Sequence, residues 1–230
     1  DLHKMTQADG VHWCNHHFID EHRLEDKAIP PFNLIVIDID GGVTLDTAQE
    51  LLREYMFMTY TTKRHTEEEN RFRLILPINY ELKLSSDDYK TMLNSIMDWL
   101  PFPTDSNANQ RSKKWESCSK GSYYFNESGK LLDILPFIPQ TSKNEVHKQN
   151  MQKIESMDNL ERWFAQRISE GNRNNNMLKY ALALVDTGMD YTNVQSQILA
   201  FNKKLSNPLS KEELNNTILE ENIEDVDNLL

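Results

Sequence analysis

The sequence predicts a mixed α/β (α+β) domain followed by a small all-α bundle. Three observations carry this. Leu34-Ile35-Val36-Ile37 is a short apolar run that ends in acids and glycines, as a buried strand does. Arg71-Phe72-Arg73-Leu74-Ile75-Leu76 alternates polar and apolar residues at the strand period. From about Asp158 onward the apolar residues recur at helical spacing, as in Leu160, Trp163, Phe164 and Ile168, with no strand-like run among them. The 230 residues suffice for one large or two smaller domains. No stretch approaches the ~20 apolar residues of a membrane helix.

Residues 1–33 read as irregular or short-helical. His3, His12, Cys14, His16, His17 and His22 crowd there, but no standard zinc spacing frames them, so surface or capping histidines are expected. Pro30-Pro31 stops the segment before the first strand. That strand continues as Asp38-Ile39-Asp40-Gly41-Gly42. Alternate side chains share a face, so Asp38 and Asp40 point the same way, with Cα atoms roughly 6–7 Å apart. Two neighbouring carboxylates repel, and a hard divalent cation, or a close pair of them, is the natural compensation.

Thr44 or Asp46 can cap a helix through Leu45, Ala48, Leu51 and Leu52. Tyr55 to Thr62 reads as a second strand, ended by Lys63-Arg64-His65-Thr66, with Glu67-Glu68-Glu69 in a loop. Arg71-Pro77 is the third strand, with Arg71 and Arg73 on one face and Phe72, Leu74 and Leu76 on the other. Two guanidiniums beside a histidine-bearing turn suit a polyphosphate, because arginine grips phosphate oxygens bidentately. Ser85-Ser86-Asp87-Asp88 caps a helix to about Leu100. A polar loop follows, with Asp105 near its start and the basic residues Arg111, Lys113 and Lys114 near its end. Ser122-Phe125 and Leu131-Leu135 read as a hairpin around Asn126-Gly129.

Residues 141–157 are polar and are expected to be a linker between a first domain (1–140) and a helical one (158–230). In the latter, Gly171 ends the first helix, Asn174 to Val185 forms the second and Tyr191 to Phe201 the third. Ser210, with Glu213 at the capping-box position, opens a fourth through Leu219.

The net charge of −11 argues mildly against a general nucleic-acid footprint, but it is unevenly placed. Seven acids against Lys211 fall in residues 211–230, which leaves −5 for the rest. Four cations against Glu116 fall in residues 111–120, and local field matters more than the total. The two cysteines, Cys14 and Cys118, give no disulfide framework and fit a reducing, cytosolic-type compartment. The chain opens on Asp1 rather than Met, and is expected to be a piece of a longer protein.

Asp38-Ile39-Asp40, Thr62-Lys63-Arg64-His65, Arg71-Phe72-Arg73-Leu74-Ile75-Leu76-Pro77 and the stretch from Asp105 to Asn109-Gln110-Arg111 together resemble the archaeo-eukaryotic primase superfamily, and most closely its phage and plasmid primase-polymerases. The segments around Gly171-Asn172-Arg173-Asn174-Asn175, Gly188-Met189-Asp190 and Asn202 to Glu213 resemble the helical primase C-terminal domain. The two resemblances cover most of residues 30–220. They imply an RNA-recognition-like antiparallel sheet in the catalytic core, with the helical bundle after it. They imply template-dependent nucleotidyl transfer, making primers or extending DNA in phage or plasmid replication. Asp38, Asp40 and Asp105 would then hold two divalent ions, Mg²⁺ or Mn²⁺, with Asp133 as the alternative third acid. His65 would contact the triphosphate, Arg71, Arg73, Lys63 and Arg111 would add to that site, and Arg173 and Asn174 would meet the template or initiating nucleotide. The implied partners are a single-stranded DNA template, dNTPs or NTPs and a helicase beyond this chain. The implied setting is a bacterial or viral-host cytoplasm.

Three other readings are open. Ile37-Asp38-Ile39-Asp40-Gly41-Gly42-Val43-Thr44-Leu45 approaches the first motif of a haloacid-dehalogenase-type phosphatase, with Asp38 as nucleophile. A threonine is expected there where Gly42 stands, and the later acidic motif is missing. A non-catalytic nucleic-acid-binding replication module is the second. A metal-dependent nuclease is the third, and it accounts less well for His65 beside Arg71 and Arg73.

Overall fold

A computed structural model describes residues 2–216. The chain divides into two compact units, Asp1–Lys153 and the residues from Ile154 onward. In the first unit a short helix α1 (Leu2–Thr6) leads to the two-residue strands β1 (His12–Trp13), β2 (His17–Phe18) and β3 (Ala28–Ile29). The long strand β4 (Phe32–Asp40), helix α2 (Leu45–Leu51), β5 (Phe57–Thr61), β6 (Arg71–Leu82) and helix α3 (Ser86–Trp99) follow. Short strands β7 (Trp115–Glu116) and β8 (Tyr123–Asn126) and helix α4 (Ser142–Lys153) complete it. The main sheet has the order β4-β6-β5-β8, and every pair in it is antiparallel. β1 pairs with β7, and β2 with β3. The expected mixed α+β class is therefore present.

The alternation read in the sequence sets the two faces of this sheet. Ile35, Ile37 and Ile39 are fully buried, as are Phe72, Leu74 and Leu76 on β6. Each contributes about 1.5–3 kcal/mol by leaving water. Thr59 shares their face by register, and Gln49 of α2 donates to its hydroxyl at 3.0 Å, which seats α2 on that side. The opposite face carries Val36, Met58, Tyr60 and Ile75, packed against Trp13, Ala108 and Trp115. The N-terminal segment and the 108–115 loop thus cover the half of the sheet that the helices leave open.

Caps fall where the residue types place them. Thr44 accepts from the Thr47 amide to start α2, and Ser85 from the Asp88 amide to start α3. The stripe Tyr89, Met92, Leu93, Ile96, Met97 is buried. Tyr89 packs on Phe32 and Trp99 on Tyr55.

Two expectations are corrected. No hairpin forms around Asn126-Gly129. β5 begins only at Phe57, opposite the middle of β6, so the edge of β6 beyond Leu76 is free to pair. Leu132 takes it, with its amide on the Pro77 carbonyl and its own carbonyl accepting from Asn79, in a parallel bridge to Ile78. The turn passes so close to Tyr55 that a Cβ on Gly129 would lie 2.1 Å from that residue's backbone. Within the expected linker 141–157, Ser142–Lys153 is helical. Thr141 supplies its first cap, and buried Asn144 donates to the Pro136 carbonyl at 2.7 Å. Low hydrophobicity in that stretch concealed a helix held by polar anchors.

The second unit is helical: α5 (Asn159–Ala165), α6 (Arg173–Asp186), α7 (Tyr191–Lys204) and α8 (Lys211–Leu214). Asp158 and Glu161 form a full capping box at α5, and Ser210 and Glu213 another at α8. The expected continuation of that last helix to Leu219 lies outside the described residues, as does most of the acidic tail. Trp163, Phe164, Met177, Tyr180, Ile198 and Phe201 make the core. Glu161 is 2% exposed and is held by Lys204 Nζ at 2.6 Å. Among the described residues no helix is long and apolar enough to cross a membrane.

Glu25 ties the N-terminal segment to the rest of the first unit. It accepts from the Ser86 hydroxyl at 2.8 Å, the Ser112 amide at 2.9 Å and Arg111 Nε at 3.0 Å. Burial pushes its carboxyl up, but the bonds from Ser86, Ser112 and Arg111 outweigh that and bring it down to about 2 from an ordinary 4.5. A carboxyl depressed in the folded state stabilises above its unfolded value and loses that contribution as pH falls through the folded one. Thermal melts should show Glu25→Gln less stable than the parent at pH 7. The gap should close between pH 4.5 and about 2. A constant gap across that window would mean that the carboxylate's ionisation contributes nothing.

Candidate active site

Register brings the predicted residues onto one face. Asp38 pairs with Arg73 and Asp40 with Arg71 across β4 and β6, and Tyr60 stands opposite Arg73 on the other side. Directly opposed residues in antiparallel strands point the same way, so the two aspartates, the two arginines and Tyr60 share the side lined by Trp13 and Trp115.

Asp105 joins them through the backbone. Gly41 and Gly42 both have positive φ, which turns the chain sharply after Asp40. A Cβ on Gly42 would sit 2.5 Å from the Pro103 ring. That close approach lays the 103–108 loop along the end of β4, where the Asp105 amide donates to the Asp38 carbonyl at 3.0 Å. The Asp105 carboxylate caps a 3₁₀ turn through the Asn107 amide at 2.9 Å. Asp133, the alternative third acid, is elsewhere. It is bonded to Asn79 and Lys143, and Asn79 is six residues along β6 from Arg73, about 20 Å away at strand rise.

Charge in this cluster is balanced by arginine. Arg73 Nε lies 3.4 Å from Asp38 Oδ1, an ion-pair contact without hydrogen-bond geometry, so both atoms are buried with no hydrogen bond. Arg71 Nη1 meets Asp40 at 3.2 Å and its Nη2 meets Glu69 at 2.6 Å. Burial pushes the Asp38 carboxyl up. Arg73 opposes this, Asp40 pushes the same way, Lys113 opposes and Asp105 again raises it. Asp38 is therefore close enough to both Asp40 and Asp105 to feel their charge. Among the described residues no group of three His, Cys, Asp or Glu side chains is arranged to hold a metal ion. The donor chemistry still suits one: hard oxygens, a buried carboxylate oxygen without a hydrogen bond, and mutual repulsion that a cation would relieve.

His65 sits in the turn after β5. Its Nδ1 accepts the Arg71 amide at 3.1 Å. In the neutral ring that acceptor role assigns the proton to Nε2, which makes Nε2–H the donor a ligand would meet. Lys63 is exposed and paired with Glu116. Arg111 stands apart from this group. Its Nε and Nη2 go to Glu25, and its Nη1 to the Leu84 carbonyl at 3.2 Å. In the second unit Arg173 donates to the Asn207 carbonyl at 3.2 Å and ties the start of α6 to the loop between α7 and α8, while Asn174 is exposed.

Two site residues escaped the sequence reading. Lys113, not Arg111, acts on Asp38, with its ammonium 5.7 Å from the Trp115 ring centre. Both lie in one basic cluster, and only the path of the loop separates their roles. Tyr60 reads as an ordinary strand tyrosine, yet its hydroxyl accepts from Trp13 Nε1 at 3.2 Å and Arg73 Nη1 at 3.0 Å and donates to the Glu116 carbonyl at 3.3 Å. Of the N-terminal histidines, His12, His17 and His22 are exposed, while His16 and His3 pack on aromatic rings. His16 is buried against Phe32 and Tyr89, and His3 stacks on Tyr123.

Residues 161–218 match the family model Primase C terminal 1 (PriCT-1). The match covers most of the second unit and relates it to primases. No curated protein and no solved structure matches the chain.

Removing the Tyr60 hydroxyl leaves the Trp13 indole N–H without its acceptor and Arg73 Nη1 with one acceptor of two, in a buried setting. Tyr60→Phe should cost about 1–3 kcal/mol. Urea unfolding reads this as a lower midpoint at unchanged slope, and a midpoint equal to that of the parent would show the network to be energetically idle.

Proposed function

We propose that this chain carries out template-dependent nucleotidyl transfer in DNA replication, as a primase, a primer-extending polymerase or both. The observation that carries the reading is the convergence of Asp38, Asp40 and Asp105 at one end of an antiparallel sheet, beside His65 and Arg71. The PriCT-1 match of the second unit supports it independently, since it rests on other residues. A primase-related role in replication follows from that match alone, and the chemistry rests on the site.

Asp38, Asp40 and Asp105 would hold the divalent ions, Mg²⁺ or Mn²⁺, with Asp105 brought to Asp38 by its own amide. Such ions activate an attacking hydroxyl and neutralise a leaving pyrophosphate. The chain's own residues do the rest. His65 Nε2–H donates toward a phosphate oxygen. Arg71 can exchange Asp40 and Glu69 for phosphate, because both carboxylates are about half exposed and pairs of that kind are weak. Lys113 adds positive potential beside Asp38. The template would be single-stranded DNA and the substrates dNTPs or NTPs.

One observation favours a second reading. Both aspartates already have arginine partners, which is what a nucleic-acid-binding module with a vestigial site would show. The phosphatase reading has no structural support beyond the Asp38-to-Leu45 stretch.

Incubation with labelled nucleotides, Mg²⁺ or Mn²⁺ and single-stranded template, with and without a primer, decides between them. Product is expected with a primer at least, and none from Asp38→Ala or Asp40→Ala, with circular dichroism unchanged. Synthesis by either variant above a no-enzyme control would refute the assignment, and a parent that binds DNA but makes no product would establish the module. A truncation after Lys153, where the first unit ends, is expected to keep extension on a primer and lose initiation without one. Loss of both from a folded fragment would assign the second unit to catalysis as well.

A further inference from the structure

The two strand arginines read as equivalent phosphate grips in the sequence, but their surroundings differ. Arg71 is itself only 19% exposed, but its partners are exposed carboxylates: Asp40 and Glu69 are 47% and 56% exposed. Arg73 is enclosed. Its side chain is 12% exposed and its partner Asp38 only 15%. Its guanidinium carbon lies 5.5 Å from the ring centres of both Tyr60 and Trp115. Nη1 donates to the Tyr60 hydroxyl at 3.0 Å and to the Glu116 carbonyl, and Nε faces Asp38. Swinging this group to a triphosphate would break a hydrogen-bonded network, vacate an aromatic slot and leave a buried carboxylate uncompensated, at a cost that Arg71 does not face.

We propose that Arg73 is a positioning residue, which fixes the orientation of the Asp38 carboxylate and balances its charge, and that it does not grip the nucleotide. This rests on the nucleotidyl-transfer reading, because Asp38 is the group being positioned. Trp13, Tyr60, Trp115 and the Glu116 carbonyl form its socket, so the N-terminal segment and the loop after Asp105 act on the site through Arg73. A neighbour that holds a metal-binding carboxylate affects metal affinity and turnover, typically 10–100-fold, and leaves substrate binding alone. A phosphate grip affects substrate binding.

Arg73→Lys in the full chain separates the two roles, because it keeps the charge and loses the planar fork and stack. The measurements are Mn²⁺ affinity by calorimetry, and kcat and nucleotide KM in primer extension. The expected result is at least tenfold weaker Mn²⁺ binding and a tenfold lower kcat, with nucleotide KM within twofold. Arg71→Lys is expected to do the reverse, raising KM. A tenfold rise in KM for Arg73→Lys with Mn²⁺ affinity intact would overturn the proposal, as would a variant equal to the parent in all three. Should Arg73→Lys fail to fold, Tyr60→Phe, which removes one of the contacts holding Nη1, is read by the same split and the same criteria. A parent that binds no Mn²⁺ would instead overturn the transfer reading itself, and that failure is visible before any variant is made.

Discussion

The first unit depends on how one buried cation is accommodated. Arg73 projects from the middle strand of the sheet into a space walled by Tyr60, Trp115 and Asp38. An arginine there is tolerable only because its charge and Nη1 are met. Two aromatic rings lie with their centres 5.5 Å from its guanidinium carbon, a hydroxyl and a carbonyl accept from Nη1, and a carboxylate balances its charge. Three separate stretches of chain supply those groups. The arrangement fixes β7 and its loop over the sheet, and β1 follows β7 because the two are paired and Trp13 donates into the same hydroxyl.

The acids are organised by the same logic. A strand end that puts two carboxylates on one face is electrostatically unfavourable unless cations stand opposite, and β6 places Arg71 and Arg73 in register to do so. The third acid comes by a different route. Two glycines turn the chain, a proline packs where any side chain on Gly42 would collide, and a backbone amide fixes Asp105 to the carbonyl of Asp38. The result is a rigid core with an exchangeable rim. Arg73 and Asp38 are enclosed together, whereas Arg71 is held by carboxylates that are about half exposed. The second unit uses polar groups to hold a helical core together. Glu161 serves as capping residue and buried partner of Lys204 at once, and Asn202 bonds both ways to Leu209 to close the loop before α8.

Much of this was legible from local pattern. Period-two alternation at Arg71 to Leu76 placed both arginines on one face, Ser85 and Asp158 marked helix starts, and Asp38-Ile39-Asp40 put two carboxylates on one face. The hairpin around Asn126 was misread because turn residues were present, while the pairing partner was decided by an open stretch of β6 far away in sequence. The helix within 142–153 was missed because its anchors are polar, and hydrophobic periodicity cannot register an asparagine buried against a distant carbonyl.

Sequence by itself determined the α+β class of the first unit, the helical character of the second, and that Asp38 with Asp40, and Arg71 with Arg73, each share one face of a strand. Those are consequences of short-range periodicity and residue chemistry. Tertiary structure alone decided which of several similar residues stand beside Asp38. Asp105 and not Asp133 stands by Asp38. Lys113 acts on that carboxylate, while Arg111 is spent on Glu25. Arg71 pairs with exposed carboxylates and Arg73 with an enclosed one. In each pair the two side chains are chemically alike, and what separates them is burial and the partners brought by strand register and loop path. Those depend on contacts between segments dozens of residues apart, which no local window contains.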